Sequence, residues 1–180
     1  MKYLIVTDIH GGLCGTNFIV NEFINGKYDY LLCLGDILYH GPRNDIPSDY
    51  NPKQVIKLLN SIKDKIIWVR GNCDAEVDEM VLDFKVEESI DLNINGFNCH
   101  LEHGHKRDLY KGNPDVFLYG HTHIPDNHYD NSNTLWLNPG SITIPKENST
   151  KNYITWIDNH IVCKSIDGNI VFENYLEKRK

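Results

Sequence analysis

The sequence predicts an α/β protein whose central sheet is covered by other layers, and three observations carry that reading. Tyr3-Leu4-Ile5-Val6, Tyr30-Leu31-Leu32-Cys33-Leu34, Ile66-Ile67-Trp68-Val69 and Val116-Phe117-Leu118-Tyr119 are uninterrupted apolar runs of strand length. Such runs fit strands buried on both faces. Each leads into a polar residue, respectively Asp8, Asp36, Asn72 and His121. Segments with helical spacing lie among them. Ligands of α/β sheets gather in the crevice beyond the carboxyl ends of the strands, so the same pattern predicts where a site lies.

Taken in order, residues 17–25 read as a helix with Phe18, Ile19, Glu22, Phe23 and Ile24 along its inward side. Residues 38–50 form a loop rich in Pro, Asn and Asp. Pro52 opens a helix through Asn60 that turns Val55, Ile56, Leu58 and Leu59 inward. Residues 76–84 read as a short helix. Residues 89–94 and 97–103 read as a hairpin, because Asn95-Gly96 suits the left-handed positions of a two-residue turn. Further strands are expected at 134–137, 153–158, 160–166 and 170–176, with turns at Asp158-Asn159 and Asp167-Gly168-Asn169. With no repeat and no linker, residues 1–180 read as a single domain, a length able to bury a full core.

No stretch reaches the ~18 apolar residues of a membrane span, and the first strand begins too early for a signal peptide. Cys14, Cys33, Cys73, Cys99 and Cys163 are odd in number and show no paired spacing. Buried thiols in a reducing cytoplasm are therefore the expectation. The formal net charge of −7 argues against affinity for long nucleic acid. A small phosphodiester stays compatible with it, and so does a homo-oligomer.

Five short signatures supply the chemistry: Asp8-Ile9-His10, Gly35-Asp36, Gly71-Asn72-Cys73-Asp74, His103-Gly104-His105 and Gly120-His121-Thr122-His123. Their carboxylate, carboxamide and imidazole groups suit Mn, Fe, Zn or Ni better than a thiolate cage would. In an Asp-x-His step along a strand, residues i and i+2 project to one side. Asp8 and His10 are thus expected to face one ion, and Gly-His-Thr-His repeats the device with two imidazoles. Two metals roughly 3.5–4 Å apart can clamp a phosphoryl group and hold a hydroxide for in-line attack. Such a pair needs a bridging carboxylate to offset the repulsion between the cations.

This ordered set resembles the calcineurin-like metallophosphoesterases, and within them the small YfcE-type bacterial phosphodiesterases. The resemblance spans nearly the whole chain and includes Asp36-Ile37-Leu38-Tyr39-His40-Gly41-Pro42-Arg43-Asn44, Val69-Arg70-Gly71-Asn72-Cys73-Asp74 and Asn138-Pro139-Gly140-Ser141. It implies a four-layer αββα sandwich, with two central mixed β-sheets, flanking helices and the site at one sheet edge. It implies Asp8, His10 and His123 on a first metal, Asn72, His103 and His121 on a second, and Asp36 bridging them. Mn is the first expectation for both ions, with Ni, Fe or Zn as alternatives. The implied activity is phosphodiester hydrolysis by a hydroxide held between the two metals. Asp36, Asn72, Cys73 and His10 make up the implied catalytic set. The alternatives are a phosphomonoesterase or a non-catalytic scaffold of the same fold.

One position departs from the wider superfamily, in which many members carry Gly-Asn-His where this chain has Gly71-Asn72-Cys73. A thiol with a pKa near ~8.5 protonates a leaving oxygen less readily than an imidazolium does. Arg43 and Asn44, a few residues beyond Asp36, are expected at the cleft mouth, where a guanidinium can pair with a phosphate oxygen. The plain alternative for Arg43 is a surface ion pair. His105 reads as a neighbour of the ligands or as solvent-facing, and Asp74 as a neighbour of the site or a turn residue. His40, His100, His128 and His160 have no matching context. Trp68, Trp136 and Trp156 read as sheet packing.

Overall fold

The structure is a computed structural model that describes residues 1–177. Two mixed sheets pack face to face. The larger has seven strands in the order β12-β11-β10-β1-β2-β3-β4. They are β1 (Lys2–Val6), β2 (Tyr30–Cys33), β3 (Ile66–Val69), β4 (Val86–Glu87), β10 (Asn152–Ile157), β11 (His160–Ser165) and β12 (Ile170–Tyr175). The smaller runs β5-β6-β7-β9-β8, comprising β5 (Ser89–Ile94), β6 (Phe97–Glu102), β7 (Val116–Leu118), β8 (Asp126–Tyr129) and β9 (Leu135–Asn138). β1 to β4 pair in parallel, as do β6, β7 and β9, so the loops after β1, β2, β3, β6 and β7 leave at carboxyl ends.

The apolar runs are continuous because both faces of these strands are covered. Tyr3 and Ile5 join Leu101, Leu118 and Leu137 in the core between the sheets. Leu4 and Val6 point the other way, into a second core with Ile19, Phe23, Val55 and Leu59. That second core is closed by α1 (Leu13–Asn25) and α2 (Pro52–Asn60). The outer face of the smaller sheet carries a row from Asp91 through His100, Phe117 and Trp136 to His128. Tyr110, just past a 3-10 turn at Arg107–Leu109, stacks on His100 at 3.8 Å there.

Several boundaries differ from expectation for physical reasons. α1 starts at Leu13 rather than Asn17, because its cap comes from a distant part of the chain. Gly12 offers no side chain, and Asp49 accepts the N–H of Cys14 at 2.6 Å instead. The helix expected over 76–84 ends at Glu79 as α3 (Glu76–Glu79). Leu82 and Phe84, two residues apart, both pack into the helix-side core, a spacing that a helical face does not provide. β8 has no apolar pattern and is an exposed polar edge strand, defined by its pairing with β9. Among the described residues no helix is long and apolar enough to cross a membrane.

Candidate metal centre

The five signatures meet at one end of the paired sheets. Backbone bonds lace their loops together: Asp8 N–H to Gly35 O at 3.1 Å, His10 N–H to Asp36 O at 2.9 Å, and Gly120 N–H to His103 O at 2.9 Å. Asp8, His10, Asp36, His103 and His123 are all buried. The expected extended i, i+2 projection does not produce this. Asp8, His10, Asp36, His121 and His123 have φ of 53°, 47°, 56°, 68° and 62°. Left-handed backbone costs a non-glycine residue about 1–2 kcal/mol, and here it turns side chains inward within a single residue. Such strain persists where the surroundings over-determine it.

Two glycines make the crowding possible. A Cβ at Gly71 would collide with the Asp36 carboxylate, and one at Gly120 with the Thr7 hydroxyl.

Three imidazoles are oriented by carbonyls. Nδ1 of His10, His103 and His123 lies 2.7, 2.7 and 2.8 Å from the O atoms of Tyr39, Leu34 and Ile144. A carbonyl only accepts, so Nδ1 carries a proton in each ring and Nε2 is the nitrogen turned inward. Nε2 of His10 and of His123 then stand 3.2 Å apart. His123 Nε2 is 3.2 Å and His10 Nε2 3.6 Å from Asp8 Oδ1. Asp8 Oδ2 accepts from Thr7 Oγ1 at 2.8 Å and from His121 N–H at 2.9 Å, whereas Oδ1 is buried with no hydrogen-bond partner. Two imidazole nitrogens and an unsatisfied carboxylate oxygen converging on one point fit a cation.

Asp36 stands between this cluster and a second set of donors. Its Oδ1 accepts the Cys73 N–H at 2.8 Å. Its Oδ2 lies 3.6 Å from His10 Nε2 and 3.4 Å from His103 Nε2. His103 Nε2 is in turn 3.1 Å from Asn72 Oδ1. His121 is half-buried, its ring 5.2 Å from that of His103. Three overlapping sets of donor atoms lie close enough together to hold an ion: Asp8, His10 and His123; His10, Asp36 and Cys73; and Asp8, Asp36 and His103.

The charges follow from this packing. Burial alone would raise Asp8, but the nearby His10 and His123 and the charge of His103 hold it well below the usual carboxylate range. Asp36 is lowered too: burial opposes, and His103 outweighs it. His103 moves the other way, to about 9, because Asp36 and Asp8 more than offset its burial. His121 falls to about 4 through burial and the neighbouring His103. The Cys73 thiol is pushed up to about 12 by burial and then by the Asp36 carboxylate.

The remaining expected residues divide. Arg43 and Asn44 line the narrow cleft above Asp36, Asn72 and Cys73, although Asn44 Nδ2 is engaged with His40 O at 2.8 Å. His105 is exposed, its ring 5.5 Å from that of His103. His100, His128 and His160 lie away from the centre, each beside a carboxylate. Asn138-Pro139-Gly140-Ser141, which on sequence alone reads as a tight turn that the resemblance places near the site, holds the loops. Ser141 Oγ donates to Asp8 O at 2.7 Å, and Asn138 Nδ2 donates to Gly120 O at 2.8 Å. The Asn-Pro-Gly-Ser segment is therefore a brace under the site as well as a turn. Trp68 is core, as expected, yet its indole N–H also reaches Asp74 Oδ2 at 3.2 Å.

A fold of two such sheets with these loops belongs to a known class. The calcineurin-like phosphoesterase superfamily domain matches residues 1–158, and the chain belongs to that family. It is similar to phosphodiesterase YfcE of Escherichia coli strain K12, with 38% identity over 167 residues covering 90% of each chain. The solved structure of Yfce, a phosphoesterase from E. coli, superposes with a TM-score of 0.91 at 33% identity, covering 98% of this chain and 100% of that one. Vps29 of Entamoeba histolytica shares the fold at a TM-score of 0.66 and 18% identity, covering 98% and 100%.

Proposed function

We propose that the chain is a binuclear metal-dependent phosphodiesterase acting on a small phosphodiester. The observation that carries the reading is Asp8 Oδ1, buried and unsatisfied, with the Nε2 atoms of His10 and His123 aimed at the same point. In this reading Asp8, His10 and His123 hold one divalent cation, Asn72, His103 and His121 hold the other, and Asp36 is common to both. When bound, the cations supply a nucleophile from water at neutral pH and neutralise charge growing on the phosphoryl oxygens.

The chain's own groups do the rest. Buried Asp8 and Asp36 hold the negative charge that retains divalent ions. The carbonyl-bonded Nδ1 atoms keep the imidazoles in the ligating tautomer. Arg43 pairs with a phosphate oxygen at the mouth of the cleft. Cys73, held as a neutral thiol among carboxylates, is a weak proton donor, which favours diesters with good leaving groups over monoesters.

Mn suits this oxygen and nitrogen donor set. Buried free Cys33, Cys99 and Cys163 favour a reducing, cytoplasmic setting. We read the whole chain as one domain.

The test uses protein stripped with chelator and titrated with Mn, assayed on bis(p-nitrophenyl) phosphate and p-nitrophenyl phosphate. Two metals should bind per chain, and the diester should be turned over at least roughly tenfold faster. Asp36→Asn, losing the shared charge, should abolish turnover and loosen both metals. Near-normal turnover by that variant with two tightly held metals would remove Asp36 from its role, and a preferred monoester would overturn the diesterase reading.

A further inference from the structure

The reading above gives Arg43 a role and leaves another cation of the same cleft without one. Lys146 lines the cleft with Asp36, Cys73, His123 and Arg43, reaching it from the segment between β9 and β10. Its backbone is tied to the metal-binding loop. Lys146 N–H donates to His123 O at 3.2 Å, and Ser149 Oγ donates to Lys146 O at 2.6 Å. Two residues earlier, Ile144 O receives His123 Nδ1 at 2.8 Å while Ile144 N–H donates to Ser141 Oγ at 2.8 Å. The start of the lysine side chain is therefore fixed relative to the site, and its ammonium is left to solvent.

That ammonium makes no ion pair among the described residues, and neither does the Arg43 guanidinium. Most basic side chains among the described residues also make no ion pair, and what sets these two apart is that they line the same cleft. Both side chains are exposed, whereas Asp36 and His123 are buried, so the cations form the rim and the ligands the floor. A phosphoryl group seated on the floor presents its substituents to that rim. An uncharged substituent would leave Lys146 unused, while a phosphoryl substituent would form charge-assisted hydrogen bonds with it beside Arg43.

We propose that Lys146 is a substrate-positioning residue that, with Arg43, takes a second anionic group, so that the preferred substrates carry another phosphoryl group beside the one attacked. This rests on the hydrolytic reading above, and the experiment separates the two.

Calorimetric titration of AMP and ADP into Mn-loaded wild type, Lys146→Ala and Lys146→Arg, at one fixed free Mn concentration, reads binding without turnover. Turnover of bis(p-nitrophenyl) phosphate, which has no second anionic group, is measured in parallel. Lys146→Ala should lose about tenfold in ADP affinity and less than about twofold in AMP affinity, and Lys146→Arg should keep most of the ADP preference. Diester turnover by Lys146→Ala should stay within about twofold of wild type. Equal losses for AMP and ADP in Lys146→Ala, or no loss for either, would overturn the proposal. A wild type that does not hydrolyse the diester, yet shows a Lys146-dependent ADP preference, would sink the hydrolytic reading alone.

Discussion

The carboxylate of Asp74 accepts the backbone N–H of Asp36 at 2.9 Å, tying the loop after β3 to the loop after β2. The same carboxylate takes the N–H groups of Ile37 at 2.8 Å, Gly71 at 2.7 Å and the Trp68 indole at 3.2 Å. Cys73 N–H returns a bond to Asp36 Oδ1 at 2.8 Å. Asp36 is thus held by backbone and side chain alike. Asp74→Asn would replace one acceptor oxygen by an NH2 group facing N–H donors. We expect a loss of about 2–4 kcal/mol in urea unfolding of the metal-free protein, together with weaker Mn binding. A loss below about 1 kcal/mol would show that the brace is dispensable.

The division of the metals can be read from two histidines of one motif. His123 Nε2 lies 3.2 Å from both Asp8 Oδ1 and His10 Nε2, whereas the ring of His121 neighbours that of His103. His123→Ala should therefore empty the first position and His121→Ala the second. Anomalous-scattering occupancies of Mn in the two variants decide the matter. Loss of the same ion in both would show that the assignment is wrong.

Backbone strain at the ligands gives a prediction independent of metal. His123 sits at φ 62° and donates its Nδ1 proton to Ile144 O. Alanine and glycine both delete that bond, but only glycine relieves the left-handed backbone. His123→Gly should unfold at higher denaturant than His123→Ala by about 1 kcal/mol in metal-free protein. Equal stabilities would mean that the loop relaxes once the imidazole is gone.

That conformation also marks where sequence reading stopped. Apolar runs announce β1, β2, β3 and β7 because burial on both faces leaves no room for polar alternation. The candidate ligands were legible because chemistry restricts which residue types can hold a metal. Their left-handed backbone was not legible, since nothing in Asp8-Ile9-His10 separates an extended step from a tight turn. β8 and the start of α1 were hidden because their partners, β9 and Asp49, lie far off in the chain. Thr7 was missed, Asp74 was left undecided, and the bond Ser141 makes to Asp8 was not readable, because hydroxyls and carboxylates in loops carry no periodicity.

A pH effect on stability arises on the outer face of the smaller sheet, at the end of β6 that leads into His103. His100 Nδ1 lies 2.7 Å from Asp91 Oδ1, and its Nε2 lies 3.4 Å from Glu102 Oε2. Burial lowers its pKa, but the bonds to Glu102 and Asp91 outweigh that and raise it above the ordinary value near ~6.5. A group raised in the folded state stabilises fully below its unfolded pKa, and that contribution is lost as pH climbs through the folded value. The melting temperature of His100→Gln should therefore fall furthest below wild type in mildly acidic buffer, and the gap should shrink as pH rises past ~6.5. A gap that widened with pH would show His100 to be held neutral.

The last prediction follows from Cys73. Its sulfur stands with the donor atoms of His10 and Asp36, and its pKa is pushed up to about 12. A thiol so weakly acidic gives little help to a departing oxygen at neutral pH. That oxygen must leave largely unassisted or take its proton from water. The penalty should grow with the basicity of the leaving alcohol, since more negative charge collects on it in the transition state. Aryl diesters should therefore turn over much faster than alkyl diesters of similar size. Cys73→His places an imidazole at the same position and should narrow that gap, and it should raise activity on monoesters. The measurement is a plot of log kcat against leaving-group pKa for both proteins, at one pH and saturating Mn. A steep negative slope for the natural protein and a shallower one for the variant are expected. A flat line for the natural protein, or a steeper one for the variant, would show that another residue already serves as the acid. His105, whose ring lies 5.5 Å from that of His103 and 6.1 Å from that of His121, would then be the residue to replace next.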